Sequence, residues 1–146
     1  MIDQWIRKNS DLSFDKNGSI ARSGKVNQII LEQAQELFSN RSDSKKISLD
    51  TNDFDISFAR GLSLEDGAAT LTELTAQIIS SKLIYFLKNI SIVKKKILVS
   101  GGGRKNNFLI ERINKKALDY FYIESIDQIG INGDFVESQA FGYLSI

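Results

Sequence analysis

The residues best suited to bind a ligand are three consecutive glycines, Gly101, Gly102 and Gly103, in the stretch ILVSGGGRKNNFLIERI. A short apolar run before them predicts a buried strand, and the apolar spacing after them predicts a helix. A turn of this kind presents backbone N–H groups and a helix N-terminus, which suit a phosphate or a ribose. The spacing is neither that of a P-loop nor that of a dinucleotide-binding fingerprint. On the residues alone, nucleotide contact and a plain tight turn are equally good interpretations.

A second candidate is Glu137, which lies between Phe135 and Phe141 in the mostly apolar stretch of a predicted C-terminal helix. A carboxylate in such a place usually marks the edge of the polar face of a helix. The functional alternative is a carboxylate that accepts hydrogen bonds from a polar ligand such as a sugar hydroxyl. The pattern leaves both interpretations open.

The composition excludes several classes of chemistry. The 146 residues contain no Cys and no His, so disulfides, thiolate nucleophiles, cysteine-rich zinc sites and histidine bases are impossible. The net charge of +1 favours neither nucleic acid nor an acidic membrane as a partner. No apolar run approaches the ~20 residues of a membrane span. We therefore expect a cytoplasmic protein without a nucleic-acid or membrane partner.

Around the glycines, the order strand, turn, helix, strand predicts a βαβ unit. The strands are expected at Ile97–Ser100 and Tyr120–Ile123, as parallel neighbours. Asn106 or Asn107 can cap the helix between them. The apolar face of that helix comprises Leu109, Ile110, Ile113 and Ala117.

The longest predicted element is a helix over Ser63–Ile90. Ser63, followed three residues later by Asp66, resembles a capping box. Gly67 in the first turn lowers helix stability unless another group packs closely against it.

A shorter helix is predicted over Lys25–Phe38, and a short helical piece over Phe54–Ala59. The apolar stripe predicted for Lys25–Phe38 comprises Val26, Ile29, Ile30, Ala34 and Leu37. Together these elements predict a helix-rich α/β class in a single domain, residues 1–146.

Five segments, in order, resemble the C-terminal half of the anhydro-N-acetylmuramic acid kinases, which are sugar kinases of the actin-like ATPase superfamily. The segments are SFDKNGSIARSGKV, SLDTNDF, DGAATLTELTA, SGGGRKNNFLI and GINGDFVESQAFGYL. They are distributed over nearly the whole chain, from residue 13 to residue 144. Gly101, Gly102, Gly103 and Asn106 match the family's Gly-Gly-Gly-Ala-x-Asn segment, and Glu137 matches the glutamate of its last motif.

The resemblance implies an actin-like (ribonuclease H-like) C-terminal lobe, with a mixed sheet flanked by helices and one long helix. It implies that the intact enzyme opens the 1,6-anhydro ring of anhydro-N-acetylmuramic acid with water and phosphorylates O6 from Mg-ATP, in peptidoglycan recycling. Gly101, Gly102, Gly103 and Asn106 would then contact the nucleotide, and Glu137 would contact the amino sugar.

The resemblance also implies that parts of the enzyme lie outside this chain. MIDQW is similar to the segment that follows the family's phosphate-binding motif, which carries the aspartate base. We therefore expect no catalytic or metal-binding residue here, Mg²⁺ held mainly by a missing N-terminal lobe, and incomplete catalysis by the chain alone. Expected partners are ATP, the amino sugar, the missing lobe and, as one option, a second copy. The shortened first helix is expected to leave Ile2, Trp5 and Ile6 short of partners.

The chain departs from the family pattern at four positions. Ile47 and Thr51 stand where the family usually has lysine and arginine, Arg104 replaces a small residue, and Gly142 replaces alanine. Three interpretations remain open. The chain is a fragment of the kinase, a natural nucleotide-binding subunit with a separately encoded first lobe, or a non-catalytic domain that kept the fold.

Overall fold

A computed structural model of the chain describes residues 1–41, 55–87, 95–117 and 119–145. The contacts divide the chain into two compact units, Met1–Ala76 and Gln77–Ile146. The boundary falls inside the helix Leu64–Leu87. A single domain over residues 1–146 stays a prediction.

The described part of the first unit consists of helices and turns. The helices are α1 (Ile2–Asn9), α2 (Ser19–Ser23), α3 (Gln28–Arg41) and the beginning of α4 (Leu64–Leu87). Of the helical piece predicted over Phe54–Ala59, the structure forms a 3₁₀ turn at Ser57–Ala59. Phe54 itself lies outside the described residues.

Helix α1 is packed into the first unit, so the prediction that its apolar residues lack partners is wrong. Trp5 is 3% exposed and Ile6 is fully buried. The partner is α4, because Trp5 Nε1 donates a hydrogen bond to the Leu64 carbonyl oxygen at 2.9 Å. The indole ring also lies against Gly67.

The predicted stripe of helix α3 is confirmed only in part, since Ala34 is buried and Ile30 is half-buried. Ile29 and Leu37 are 70% and 56% exposed, whereas Leu31 and Ala34 are buried. The helix begins where Asn27 is fixed to α4 by a hydrogen bond from its N–H to Thr70 Oγ1 at 3.0 Å. This attachment helps to orient α3, and the positions of its apolar residues alone do not reveal it.

Helix α4 begins close to its predicted start. Ser63 Oγ accepts a hydrogen bond from the Asp66 N–H at 3.1 Å, as an N-cap should. The Asp66 carboxylate does not complete a capping box, because it accepts from the Lys25 N–H at 2.7 Å. From Ala68 to Leu74 every residue is buried, which is typical of a helix surrounded by protein. The helix is described to Leu87, and the last predicted residues up to Ile90 lie outside the described part.

The second unit contains the predicted βαβ arrangement. Strands β1 (Lys95–Val99) and β2 (Phe121–Ser125) are parallel neighbours with Ile97 opposite Ile123, which confirms the prediction. Helix α5 (Asn107–Lys116) connects them. Its predicted face is largely confirmed, because Leu109, Ile113 and Ala117 are buried and Ile110 is half-buried. Phe121 and Ile123 of β2 are buried as well.

The last helix, α6 (Val136–Leu144), also belongs to the second unit, and Val136 is its only residue that is not exposed. None of the helices in the described part of the chain is long and apolar enough to cross a membrane. Helices and a two-stranded parallel sheet place these residues in the α/β class, as predicted.

Candidate functional site

The glycine turn leaves β1 and leads into α5. Gly101 adopts φ 76° and ψ 178°, a backbone region that is essentially restricted to glycine. Gly102–Lys105 then form one turn of 3₁₀ helix. The Gly101 N–H donates to the Gly133 carbonyl oxygen at 3.1 Å, which joins the turn to the segment between β2 and α6.

Within the described residues, neither backbone conformation nor packing requires glycine at positions 102 and 103. Neither has a positive φ, and no described atom lies within 4 Å of an ideal Cβ at either position. By contrast, a Cβ at Gly24 would lie 2.8 Å from the Asp66 backbone nitrogen, so close packing explains that glycine. The space that a side chain would occupy beside Gly102 and Gly103 is therefore open. A ligand can approach the backbone there.

Asn106 caps α5, as the sequence predicts. Its Oδ1 accepts a hydrogen bond from the Leu109 N–H at 3.0 Å. The cap fixes the beginning of the helix immediately after the glycine turn. The structure therefore brings Asn106 and the three glycines together in one short segment.

Arg104 is the residue of this site that the sequence analysis did not select. Its side chain is 4% exposed. Nε donates to Asp127 Oδ2 at 2.7 Å, and Nη1 donates to Asp134 Oδ1 at 2.7 Å. The departure from the small residue usual in the resembled family was the only signal that could have found it. The aspartates themselves carry no recognisable spacing relative to the glycines.

Arg104, Lys105, Asp127 and Asp134 form a cluster of charges. These charges hold one another in their ionised forms. The hydrogen bond from Arg104, followed by those from the Gly133 N–H and the Ser125 hydroxyl, holds the pKa of Asp127 well below its usual range. Hydrogen bonds from Arg104 and then Lys105 lower the pKa of Asp134 to about 2. The two carboxylates in turn raise the pKa of Arg104.

The cluster is therefore electrically balanced at neutral pH, because the cations of Arg104 and Lys105 face the anions of Asp127 and Asp134. Both cations are already paired with carboxylates, which weakens their attraction for an anionic ligand. This arrangement suits an uncharged part of a ligand, such as a nucleoside, better than a phosphate group.

Glu137 lies in the first turn of α6 and is exposed. Within the part of the chain that the structure describes, no hydrogen bond or ion pair links its carboxylate to the glycine turn. The Glu137 carboxylate is thus open to a ligand, but the structure does not join it to the glycine turn. Its contact with a sugar stays a prediction.

The described residues hold no group of three or more carboxylates that could bind a metal ion. The segment SLDTNDF lies outside the described residues. The same holds for Thr51 within it and Ile47 just before it, two of the departures from the family pattern. At Gly142 no described atom comes within 4 Å of an ideal Cβ, so the alanine usual in the family would fit there.

Comparison with known proteins identifies the family. The family model described as anhydro-N-acetylmuramic acid kinase matches residues 1–146. A relative from Pelagibacter ubique, named anhydro-N-acetylmuramic acid kinase, is 42% identical over 146 residues, which is 100% of this chain and 39% of the relative. A relative of the same name from Zymomonas mobilis is 34% identical over 148 residues, 100% of this chain and 38% of the relative.

A third relative of that name, from a Ruegeria species, is 35% identical over 148 residues, 99% of this chain and 37% of the relative. The chain thus spans less than two fifths of the length of these relatives and corresponds to a C-terminal portion of them. The match over all residues is the one that the five sequence segments predict, and it shows that the chain belongs to the anhydro-N-acetylmuramic acid kinase family.

Proposed function

We propose that the chain forms the nucleotide-binding portion of an ATP-dependent anhydro-N-acetylmuramic acid kinase. The family match over residues 1–146 supports the kinase assignment. The observation that carries the assignment of the site is the pair Gly102 and Gly103, because neither their backbone conformation nor their packing within the described residues requires glycine. A nucleotide lying against the backbone would explain why both positions are glycine.

The proposed reaction opens the 1,6-anhydro ring with water and places the γ-phosphoryl group on O6, which gives N-acetylmuramic acid 6-phosphate. ATP supplies the phosphoryl group, and the reaction is proposed to take place in the cytoplasm. The glycine turn binds the nucleoside through backbone N–H groups and open space, and the Asn106 cap holds the beginning of α5 beside it. Catalysis of this kind rests mainly on positioning and charge stabilisation.

The remainder of the longer protein would supply the aspartate base, the phosphate loops and the residues that hold Mg²⁺. We also propose that β1 and β2 belong to the larger mixed sheet of an actin-like lobe. Parallel sheets are normally covered on both faces, and here Leu98 and Tyr122 remain 38% and 36% exposed.

Glu137 is proposed to accept hydrogen bonds from the amino sugar. It projects from the exposed helix α6, where a facing lobe could close over it. The flanking aromatic residues Phe135 and Phe141 are 56% and 65% exposed, which suits a surface that another part of the protein covers.

The test is a fusion of this chain to the part of the Pelagibacter relative that the match does not cover. With Mg-ATP and the anhydro sugar, the fusion should produce the 6-phosphate, whereas the 146-residue chain alone should not. A folded fusion without turnover, combined with a chain that does not bind ADP, would favour a non-catalytic domain. Turnover by the chain alone would overturn the proposed division of labour.

A further inference from the structure

Arg104 is buried directly after the three glycines and bridges several acceptors. Nε and Nη2 donate to the two carboxylate oxygens of Asp127 at 2.7 and 3.2 Å, in a bidentate arrangement. Nη1 donates both to Asp134 Oδ1 at 2.7 Å and to the Gly101 carbonyl oxygen at 2.9 Å. A planar guanidinium group can satisfy these acceptors together, and a lysine ammonium group cannot reproduce that geometry.

The same segment between β2 and α6 holds Gly101 from its other side. The Gly101 N–H donates to the Gly133 carbonyl oxygen at 3.1 Å, and the Gly133 N–H donates to Asp127 Oδ1 at 2.8 Å. Both polar backbone groups of Gly101 are therefore bound to one network. The network fixes a backbone conformation that glycine alone adopts readily.

We propose that Arg104 is a positioning residue for the nucleotide. It clamps Gly101 to the segment Ile126–Asp134, and it thereby holds Gly102 and Gly103 in the conformation that receives the nucleoside. Because its charge is balanced by Asp127 and Asp134, its contribution is conformational and does not depend on attraction to a phosphate. A turn that is ordered before binding loses less conformational entropy when the ligand arrives. This inference rests on the proposed function.

Gly133 provides an independent way to disturb the clamp. A Cβ at Gly133 would lie 2.8 Å from Arg104 Cζ and 2.9 Å from Arg104 Cδ, closer than such atoms approach in proteins. Gly133 has no positive φ, so alanine is compatible with its backbone. Gly133→Ala should therefore push the guanidinium group out of place without changing any charge.

The experiment uses the 146-residue chain with ADP as the probe, at concentrations into the millimolar range, and follows the amide resonances of the glycine turn by NMR. Arg104→Met should raise the Kd for ADP about tenfold or more, and Arg104→Lys should lie between that variant and the wild type. The matched control is Lys96→Met, which removes the ion pair with Glu124 across the same two strands. The control should change the Kd less than about twofold, because exposed pairs contribute little.

A double-mutant cycle separates positioning from general destabilisation. Gly133→Ala should weaken ADP binding in the wild type but should have no further effect in an Arg104→Ala background, since the clash is then absent. Amide hydrogen exchange of the Gly101 N–H should accelerate in Arg104→Met even without ADP. Equal effects of Gly133→Ala in both backgrounds, or unchanged ADP affinity in Arg104→Met, would overturn the clamp alone. A folded wild-type chain whose glycine resonances do not respond to ADP would overturn the nucleotide site and the clamp together.

Discussion

The indole ring of Trp5 occupies the space that a side chain at Gly67 would need. An ideal Cβ at position 67 would lie 2.7 Å from Trp5 Nε1, and that nitrogen is held by the Leu64 carbonyl oxygen at 2.9 Å. A glycine inside a helix costs about 1 kcal/mol relative to alanine. Here the cost is offset by the close packing of α1 on α4, which buries Trp5 and Ile6.

Replacing Gly67 should therefore have the opposite effect from that expected of helix propensity. Gly67→Ala removes a poor helix former, but its methyl group would overlap the Trp5 ring. We expect the free energy of unfolding to fall by about 1–3 kcal/mol, the usual cost of overpacking. Urea unfolding followed by tryptophan fluorescence measures the change.

The control is Gly142→Ala, because Gly142 is also inside a helix but has no described atom within 4 Å of its ideal Cβ. That variant should be neutral or more stable by up to about 1 kcal/mol. Equal stabilisation by both substitutions would mean that Trp5 does not pack against Gly67.

The sequence predicts the local features of the fold well and the long-range attachments poorly. The parallel strands and the cap at Asn106 follow from short patterns, and the structure contains both. The exposure of Ile29 and Leu37 on α3 does not follow from the apolar pattern, because the orientation of the helix also depends on Asn27, which donates to Thr70, 43 residues away. The burial of Trp5 likewise depends on α4, 59 residues away at Leu64.

The candidate site shows the same limit. The glycines are recognisable because their chemistry is local and consecutive. The role of Arg104 is not recognisable in this way, since its partners Asp127 and Asp134 lie 23 and 30 residues further along the chain. An ion-pair network between distant positions leaves no periodic signal in a single sequence, so only the folded structure reveals which charges meet.

Acid should weaken the clamp on the glycine turn. Arg104 and Lys105 lower the pKa of Asp134 to about 2, and Arg104 holds the pKa of Asp127 well below its usual range. A carboxyl group whose pKa is lowered in the folded state stabilises the protein at pH values above its ordinary pKa of about 4. That stabilisation is lost as the pH falls below about 4 and through the pKa of the folded state. The difference in thermal midpoint between the wild type and Arg104→Met should therefore be constant from neutral pH to about pH 5 and shrink towards pH 2.

Thermal unfolding followed by circular dichroism at a series of pH values measures this difference. Lys96→Met is a suitable second comparison, because it removes a cation that is not part of the cluster. A difference between wild type and Arg104→Met that stays the same down to pH 2 would show that the ionised aspartates do not stabilise the turn.

Glu137 should affect the sugar and leave the nucleotide unaffected. A charge-assisted hydrogen bond is worth about 1.5–3 kcal/mol, so Glu137→Gln in the fusion enzyme should raise the KM for the anhydro sugar about tenfold or more. The KM for ATP should stay within about twofold, because no contact joins this carboxylate to the glycine turn in the described residues. The exposed Glu32 of α3 supplies a control, Glu32→Gln. An unchanged sugar KM would leave Glu137 as the polar edge of α6.

Gly101 and Gly102 should respond differently to substitution, because only one of them is required by the backbone. Gly101→Ala places a side chain in the conformation at φ 76° and ψ 178°, and it should destabilise the fold by about 1–3 kcal/mol. At Gly102 no described atom lies within 4 Å of an ideal Cβ and φ is not positive, so we expect the Gly102→Val chain to unfold at nearly the wild-type temperature. Its side chain would nevertheless fill the space proposed for the nucleoside, and ADP binding should be lost. Thermal unfolding and ADP titration of the same two variants give both results. A stable Gly102→Val chain with wild-type ADP affinity would make the three glycines a plain turn, because nothing outside the chain would then require them.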